Sequence, residues 1–285
     1  MSLIHKFELK SKGKNTKIGI GLGTSEFHNQ KILRACIDFL GKNSSSIYIF
    51  GNRFVIRSIE KQGLYKNHKL SIKFVECEET EKKIFESLND KAISAIIRGS
   101  LSSNKFLENL RKFLKTQKIN RLTLLETVDG HQFFYGPVGI DECKNLEEKL
   151  EFIELTLKEF RLLKLKPNIS ILSGGRIGDI GRDDKVDKSI RDAEKIVEIM
   201  KSKHSELSIK HHEILIEDAV LNKSNFILAP EGISGNLIYR TLVHLGGGKA
   251  YGAIYMGIKE VIIDTSRVGE ISEIHGALLL ALALT

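Results

Sequence analysis

Short apolar runs rich in β-branched residues recur along the chain and alternate with segments of helical periodicity. Each run is bounded by glycine or by polar residues, as is typical of a buried strand. In the first half of the chain this pattern predicts strands over 17–22, 46–50, 71–75, 93–97 and 121–128. Three helices are predicted between these strands. The first spans 29–40, the second begins at residue 80, and the third ends at residue 114.

The same alternation continues in the second half of the chain. It predicts helices over 146–163, 184–201, 235–248 and 271–284, with strands over 168–175, 225–232, 252–258 and 260–264. Regular alternation of strands and helices is typical of parallel α/β sheets with right-handed crossovers. The predicted fold class is therefore α/β with parallel-sheet cores. The last helix is apolar nearly all round, so we expect it to be buried on most of its faces.

The composition is that of an ordinary globular protein, with 285 residues, 41 % hydrophobic and 28 % charged. This length allows one large core or two domains, and the best candidate for a break is 129–139, which is dense in glycine and contains Pro137. Cys36, Cys77 and Cys143 lie far apart without a CxxC spacing, which favours a reducing compartment. We find no signal-peptide pattern and no apolar run of the length that a membrane helix needs. These features predict a cytoplasmic protein with no membrane partner.

The formal net charge of +8 raises the question of an anionic partner. The lysines are spread along the chain, and neither a zinc finger nor an aromatic RNA-binding motif is present, so no nucleic-acid partner is expected. Two interpretations remain: a plain lysine-rich background, or a positive cleft for a small anionic substrate. His211 and His212 are adjacent but lack a metal-ligand spacing, so no metal site is expected.

Candidate chemistry lies at the strand-to-helix junctions, because ligands of open α/β sheets bind beyond the carboxyl ends of the strands. The junctions at 21–26, 51–52, 98–104, 173–182, 230–236 and 264–270 combine glycines, hydroxyls, amides and arginines. Segment 173–182 has four glycines and the two arginines Arg176 and Arg182, which suits either a phosphate site or a flexible loop before a capped helix. Segment 21–26 lacks the third glycine of a dinucleotide fingerprint, which favours a tight turn.

The C-terminal part of the chain, with weaker likeness before it, resembles the phosphate acetyl/butyryltransferase family. The likeness rests on five features. A Pro–acid stretch followed by Gly-Asn opens a helix, a tyrosine lies on that helix, and the helix ends with Leu-Gly. A strand that contains glycine follows, and D-x-S-R precedes the last helix. The residues that carry it are Pro230, Glu231, Gly235, Asn236, Tyr239, Leu245, Gly246, Gly252 and Asp264 to Arg267.

Several positions depart from the family pattern. Glu273 stands where the family has aspartate after Ser-Arg, Glu231 also replaces an aspartate, and Ile233 replaces an acid. Arg98 stands where the family has a small residue, and the usual proline after Arg111 is missing. With these departures the chain is most similar to a divergent archaeal branch, the methanogenesis-marker or methyltransferase subunit X-like proteins.

The resemblance implies two α/β domains with an interdomain cleft, as in phosphotransacetylase and the isocitrate dehydrogenase-like folds. Residues 1–128 and 255–285 would form the first domain and 129–254 the second. It implies a homodimer and no cofactor, with coenzyme A or acyl-CoA as substrate. Ser266, Arg267 and Glu273 would be catalytic. The expected phosphate- or CoA-binding residues are Arg98, Arg111, Ser173, Gly174, Arg176, Gly235 and Asn236.

In the chemistry that this family implies, Arg267 clamps phosphate, Ser266 donates to the charge developing on the carbonyl, and Glu273 acts as base for the thiol. A carboxylate is a weak base for a thiol, so Glu273 would need burial that raises its pKa. Three hypotheses stay open: an acyltransferase moving an acyl group between CoA and phosphate, a ligand-binding protein without turnover, and an accessory subunit of a methyltransferase complex linked to methanogenesis.

Overall fold

The chain divides into two compact units in the computed structural model, which describes residues 1–61, 63, 65–66, 71–267 and 269–285. The first unit contains Met1–Ile119 and Ala250–Thr285, and the second contains Asn120–Lys249. Both units are α/β, which confirms the predicted fold class.

The sheet of the first unit is parallel except for one strand. Its strands are β1 (Lys17–Gly21), β2 (Ser46–Gly51), β3 (Ile72–Glu76), β4 (Ala95–Ile97), β10 (Lys249–Met256) and β11 (Val261–Asp264), in the order β3-β2-β1-β4-β11-β10. β10 pairs antiparallel with β11, so the sheet is mixed rather than purely parallel. The parallel strands place their carboxyl ends at one edge, where β1, β2, β3, β4 and β11 all finish.

The helices of the first unit are α1 (Leu3–Ser11), α2 (Glu26–Leu40), α3 (Arg53–Lys61), α4 (Thr80–Asn89), α5 (Ser103–Leu114) and α10 (Ile271–Leu284). Two of them, α1 and α2, pack against the last helix, α10. Every residue of α10 from Gly276 to Ala283 is buried, against α1, α2 and β11. The expectation of an almost wholly buried last helix is therefore confirmed.

The second unit has a sheet in the order β5-β6-β9-β7-β8. Its strands are β5 (Asn120–Glu126), β6 (Gln132–Gly136), β7 (Asn168–Ile171), β8 (Ser208–His211) and β9 (Phe226–Leu228), and its helices are α6 (Leu146–Leu162), α7 (Asp184–Lys203), α8 (Ile216–Leu221) and α9 (Gly232–His244). β5 and β6 form an antiparallel hairpin, while β6, β9, β7 and β8 run parallel.

The stretch 129–139, expected to be a break between domains, lies inside the second unit and contains β6. Its glycines and Pro137 are typical of a linker. However, Phe133, Phe134 and Tyr135 are buried, and the strand β6 that contains them pairs with β5 and β9. The expected boundaries at 128/129 and 254/255 fall in the β5–β6 hairpin and within β10. The sequence pattern also did not predict α1, α3, α8 or β8, because they are short and carry few buried residues.

Among the described residues, none of the helices combines the length and the apolar character needed to cross a bilayer.

The contact between α10 and β10 leaves no room for a side chain at Gly276. A Cβ there would lie 2.4 Å from the Cβ of Tyr251. We expect Gly276→Ala to lower the free energy of unfolding by about 1–3 kcal/mol, the usual cost of overpacking a core. Gly178→Ala is the matched control, since a Cβ at Gly178 meets nothing within 4 Å. Urea unfolding of both variants checks this, and equal stabilities would contradict the close packing of α10.

Candidate functional site

A pocket of about 560 Å³ lies at the carboxyl edge of the first unit's sheet. This volume suits a small-molecule ligand. Its lining comes from the segments that follow β1, β2, β3, β4 and β11, and it includes Thr24, Ser25, His28, Glu78, Thr80, Glu81, Ser102, Lys105 and Arg267. The pocket therefore lies where an open α/β sheet places its ligands.

Three helices begin at this pocket without a side-chain cap. α2, α4 and α5 follow the N-cap residues Ser25, Glu79 and Ser102, and in the described structure none of these side chains accepts a hydrogen bond from the first turn. In contrast, Asn145 and Asp183 cap α6 and α7. Uncapped first-turn N–H groups and the positive end of the helix dipole favour an anion.

A closed ring of hydrogen bonds joins the β1–α2 loop to the β4–α5 loop. The Gly23 N–H donates to Ser100 Oγ at 2.7 Å, Ser100 Oγ donates to Asn29 Oδ1 at 2.6 Å, and Asn29 Nδ2 donates to the Gly23 carbonyl at 2.8 Å. A Cβ on Gly23 would lie 2.2 Å from the Ser100 carbonyl oxygen, so only glycine fits. The glycines of segment 21–26 thus serve loop packing. No motif in the sequence indicated Ser100 and Asn29 as hydrogen-bond partners.

Ser266 and Arg267 follow β11 directly and face different surroundings. Arg267 is exposed and lines the pocket. The Ser266 N–H donates to Glu273 Oε1 at 2.7 Å. A Cβ on Gly269 would lie 2.3 Å from Glu273 Oε2, so the loop folds closely over this carboxylate. The carboxylate of Glu273 thus lies against the loop that carries Arg267 and holds the loop backbone through this hydrogen bond.

Glu273 is only 6 % exposed, and its pKa is raised accordingly. Burial raises the pKa of Glu273 to about 7, and the nearby Asp264 carboxylate acts in the same direction. The hydrogen bond from Ser266 and the charge of Arg98 oppose this shift. The pKa thus suits a base, but Glu273 is not among the residues that line the pocket.

Arg98, expected to bind phosphate or CoA, is buried and has protein partners instead. Its Nε donates to Asp264 Oδ1, its Nη1 to the Leu101 carbonyl at 2.8 Å and its Nη2 to the Thr265 carbonyl. Arg98 does not line the pocket. Its guanidinium joins the segment after β4 to the segment after β11.

Arg111 lies away from the pocket, near the C-terminal end of α5. It lines a separate cavity of about 370 Å³ with Glu108, Lys112 and Lys115. The N-terminus of α5 is at the first pocket, and eight residues of helix span roughly 12 Å. The described structure therefore does not bring Arg111 to Arg267.

In the second unit, Ser173, Gly174 and Arg176 follow β7. Ser173 is buried, and its Oγ donates to the Gly175 carbonyl and lies 2.8 Å from His211 Nε2. The Gly174 N–H donates to Ser189 Oγ at 2.9 Å. Arg176 is exposed, and its backbone N–H donates to Asp179 Oδ2. Local hydrogen bonds order this glycine-rich loop.

Gly235 and Asn236 lie in the first turns of α9, next to the loop after β6. A Cβ on Gly235 would lie 2.0 Å from the Pro137 carbonyl oxygen, and Asn236 Nδ2 donates to the Val138 carbonyl at 2.7 Å. Glu231 caps the helix by accepting from the Ser234 and Ile233 N–H groups, and these bonds lower the pKa of Glu231 although burial opposes the shift. These residues have structural roles that the sequence did not distinguish from ligand binding.

Comparison with known proteins found close sequence relatives in methanogens. The chain is 37 % identical over 286 residues to a protein named methyltransferase mtx subunit X from Methanosarcina mazei, covering 100 % of this chain and 95 % of the relative. It is 42 % identical over 214 residues to the protein of the same name from Methanosarcina barkeri, covering 75 % and 77 %. None of the protein-family models searched matches the chain.

The fold is that of phosphotransacetylases. A phosphotransacetylase from Streptococcus pyogenes superposes with a TM-score of 0.71 at 16 % identity, covering 99 % of this chain and 97 % of that one. A branched-chain phosphotransacylase from Enterococcus faecalis gives 0.68 at 16 % identity, covering 94 % and 99 %. At such identities the likeness shows the fold alone.

The buried carboxyl of Glu273 makes stability depend on pH. Its pKa is about 7 in the folded protein against an ordinary 4.5, so the folded state holds the proton more tightly than the unfolded state. Stability from this group is therefore fully present below about pH 4.5 and is lost as pH rises through 7, by at most about 3 kcal/mol.

We expect Glu273→Gln to remove this loss, because the amide keeps an acceptor for Ser266 and cannot ionise. Urea unfolding at several values between pH 4.5 and 8 checks this, with the variant gaining stability relative to the native protein as pH rises. Glu198→Gln, at an exposed position of α7, should retain the native profile. Parallel native and Glu273→Gln profiles would show that Glu273 titrates normally.

Proposed function

Because the chain belongs to the methyltransferase mtx subunit X family of methanogens and has a phosphotransacetylase fold, we propose that it is a phosphate acyltransferase-like protein. Its pocket in the first unit would bind phosphate or the phosphate of an acyl phosphate. The observation that carries this proposal is the meeting of three uncapped helix N-termini with Arg267 at one pocket.

The cations, hydroxyls and helix N-termini of the pocket favour an anion with several acceptor oxygens, whereas the carboxylates of Glu78 and Glu81 oppose it. Arg267 offers a planar fork of N–H donors, which matches two phosphate oxygens, and Lys105 adds a second cation. Thr24 and Ser102 line the same space with hydroxyls. Together with the helix N-termini, these groups can surround a tetrahedral anion with donors.

The proposed reaction moves an acyl group between the sulfur of coenzyme A and a phosphate oxygen. In one direction a phosphate oxygen bonds to the thioester carbonyl carbon, the C–S bond breaks, and the thiolate takes up the proton that the phosphate loses. Arg267 would hold the phosphate, and Ser266, its neighbour on the same loop, would donate to the carbonyl oxygen as charge develops there. We assign Glu273 to holding the Ser266 backbone, because its carboxylate lies beneath the loop.

Arg267→Ala tests phosphate binding directly. We expect phosphate affinity to fall about tenfold or more, because a charge-assisted bidentate contact is lost, while stability changes by less than about 0.5 kcal/mol at this exposed site. Titration calorimetry with inorganic phosphate and urea unfolding measure the two effects.

Arg34→Ala is the control for that experiment, since Arg34 is exposed on α2 and does not line the pocket. It should bind phosphate as the native protein does. The proposal fails if Arg267→Ala keeps native affinity, or if it lowers stability strongly without affecting binding. Thiol release from acetyl-CoA and phosphate then separates an acyltransferase from a protein that only binds the anion.

A second candidate function is that of an accessory subunit without turnover. It is favoured by the name of the relatives, which describes a subunit of a methyltransferase. Co-purification of a methyltransferase with this chain from a methanogen extract, combined with no thiol release in the acyl-transfer assay, would support this function over the first.

We also propose that the chain forms a homodimer, and the surface of α9 supports this. Only Gly232 and Gly235 are buried on this helix, whereas Ile233 is 59 % and Leu237 61 % exposed. An apolar helix left this open is typical of a protein interface. Light scattering should give twice the chain mass of 32.1 kDa.

Leu237→Glu should shift that mass towards the monomer, because a buried interface would have to take up an unpaired charge. Leu221→Glu, at another exposed leucine of the second unit, should leave the dimer intact. A native protein that is monomeric at working concentration would remove the proposal.

A further inference from the structure

The guanidinium of Arg98 joins the two segments that bring Lys105 and Arg267 to the pocket. Its donors reach Asp264 and the Thr265 carbonyl on the β11 side, and the Leu101 carbonyl on the β4 side. Ser102, which follows Leu101, and Arg267, two residues after Thr265, line the pocket. Arg98 thus acts at the base of both segments without reaching the ligand.

Further hydrogen bonds hold the same two segments in register. The Arg98 N–H donates to the Ile263 carbonyl at 3.0 Å, and Thr265 Oγ1 donates to the Gly99 carbonyl at 3.0 Å. Gly99 has φ +64°, and a Cβ there would lie 2.1 Å from the Gly21 carbonyl oxygen. The segment after β4 therefore has little freedom on its β1 side, and on its β11 side it is held by the hydrogen bonds of Arg98 and Thr265.

An ion pair that is this deeply buried adds little by itself to the free energy of unfolding. The side chains of Arg98 and Asp264 are 7 % and 11 % exposed. Removing charges of this kind from water costs several kcal/mol, and a well-packed apolar pair is often as stable. Only arginine, however, provides a rigid fork that can bind a carboxylate and two carbonyls at once.

We propose that Arg98 is a positioning residue that sets the spacing between Arg267 and the N-terminus of α5, and thereby the affinity of the pocket for phosphate. The inference rests on the proposed function for the ligand and goes beyond it in assigning a specific geometric role to this residue. The placement of the two loops by Arg98 is a separate property that can be measured without any ligand.

Three variants separate positioning from folding. Arg98→Met breaks the bridge and leaves Asp264 buried without its guanidinium. Arg98→Lys keeps a cation for Asp264 but cannot make the three donations together. The double variant Arg98→Met/Asp264→Leu removes both charges, so it should recover stability without restoring the contacts to the Leu101 and Thr265 carbonyls.

The matched control is Arg121→Met in the second unit. Arg121 forms a comparable buried pair with Glu142, with Nε and Oε1 2.7 Å apart and side chains 14 % and 2 % exposed. It should lose stability while its phosphate affinity and the amide exchange of the first unit stay native.

Two measurements are made on each variant: phosphate affinity by titration calorimetry, and hydrogen–deuterium exchange of segments 98–105 and 264–273. We expect Arg98→Met and the double variant to bind phosphate about tenfold or more weakly and to exchange faster in both segments, and Arg98→Lys to lie between them and the native protein. Native affinity in the stable double variant, or unchanged exchange in both segments, would overturn the proposal. If the native protein itself does not bind phosphate, the proposed function fails, and exchange still decides whether Arg98 holds the two loops.

Discussion

The architecture of the first unit depends on burying the last helix. α10 is apolar on nearly every face and packs against α1, α2 and β11, so it ties the end of the chain to its beginning. A carbonyl at its C-terminal end accepts hydrogen bonds from two lysines of the N-terminal segment. Lys10 Nζ donates to the Ala283 carbonyl at 2.8 Å, and Lys14 Nζ donates to the same carbonyl at 3.1 Å. Cations at this end also complement the helix dipole. Burial of α10 is what brings β11 and the loop with Arg267 into a sheet formed mostly by the first third of the chain.

Much of this fold follows from the hydrophobic pattern, because its main elements have strong periodicity. The predicted bounds of α10 agree with the structure, those of β1, β2 and α6 agree within a residue, and α4 begins at the predicted residue. The prediction was wrong where local composition and tertiary pairing conflict: β6 lies in a segment rich in glycine with a proline, yet its aromatic residues are buried between two strands. Antiparallel pairing of β5 with β6 and of β10 with β11 was not visible either, since strand direction depends on contacts far along the chain.

The junction rule directed attention to the carboxyl ends of the strands, and the structure has a pocket at that edge which Arg267 lines. The contacts of the other candidate residues were less predictable. The sequence could not show that Arg98 is buried with Asp264, because the two residues are 166 positions apart. Nor could it show that the carboxylate of Glu273 lies under the loop. The need for burial to raise the pKa of Glu273 was recognised from its chemistry, and the structure supplies that burial.

The charged residues near the pocket of the first unit differ in how deeply they are buried, and their roles differ accordingly. Arg98, Asp264 and Glu273 are buried and hold the two segments beside the pocket, whereas Arg267 is free of that network and faces solvent. Under the proposed function, the buried groups would fix the geometry and Arg267 would meet the ligand, which is the usual division in a preorganised site.

We propose above that the pocket of the first unit binds phosphate. The most direct measurement is a crystal structure of the protein with arsenate, a phosphate analogue whose anomalous scattering identifies it. We expect an anomalous peak within hydrogen-bond distance of Arg267 and of the first-turn N–H groups of α5. A well-ordered pocket without a peak, or arsenate bound only elsewhere on the chain, would contradict it.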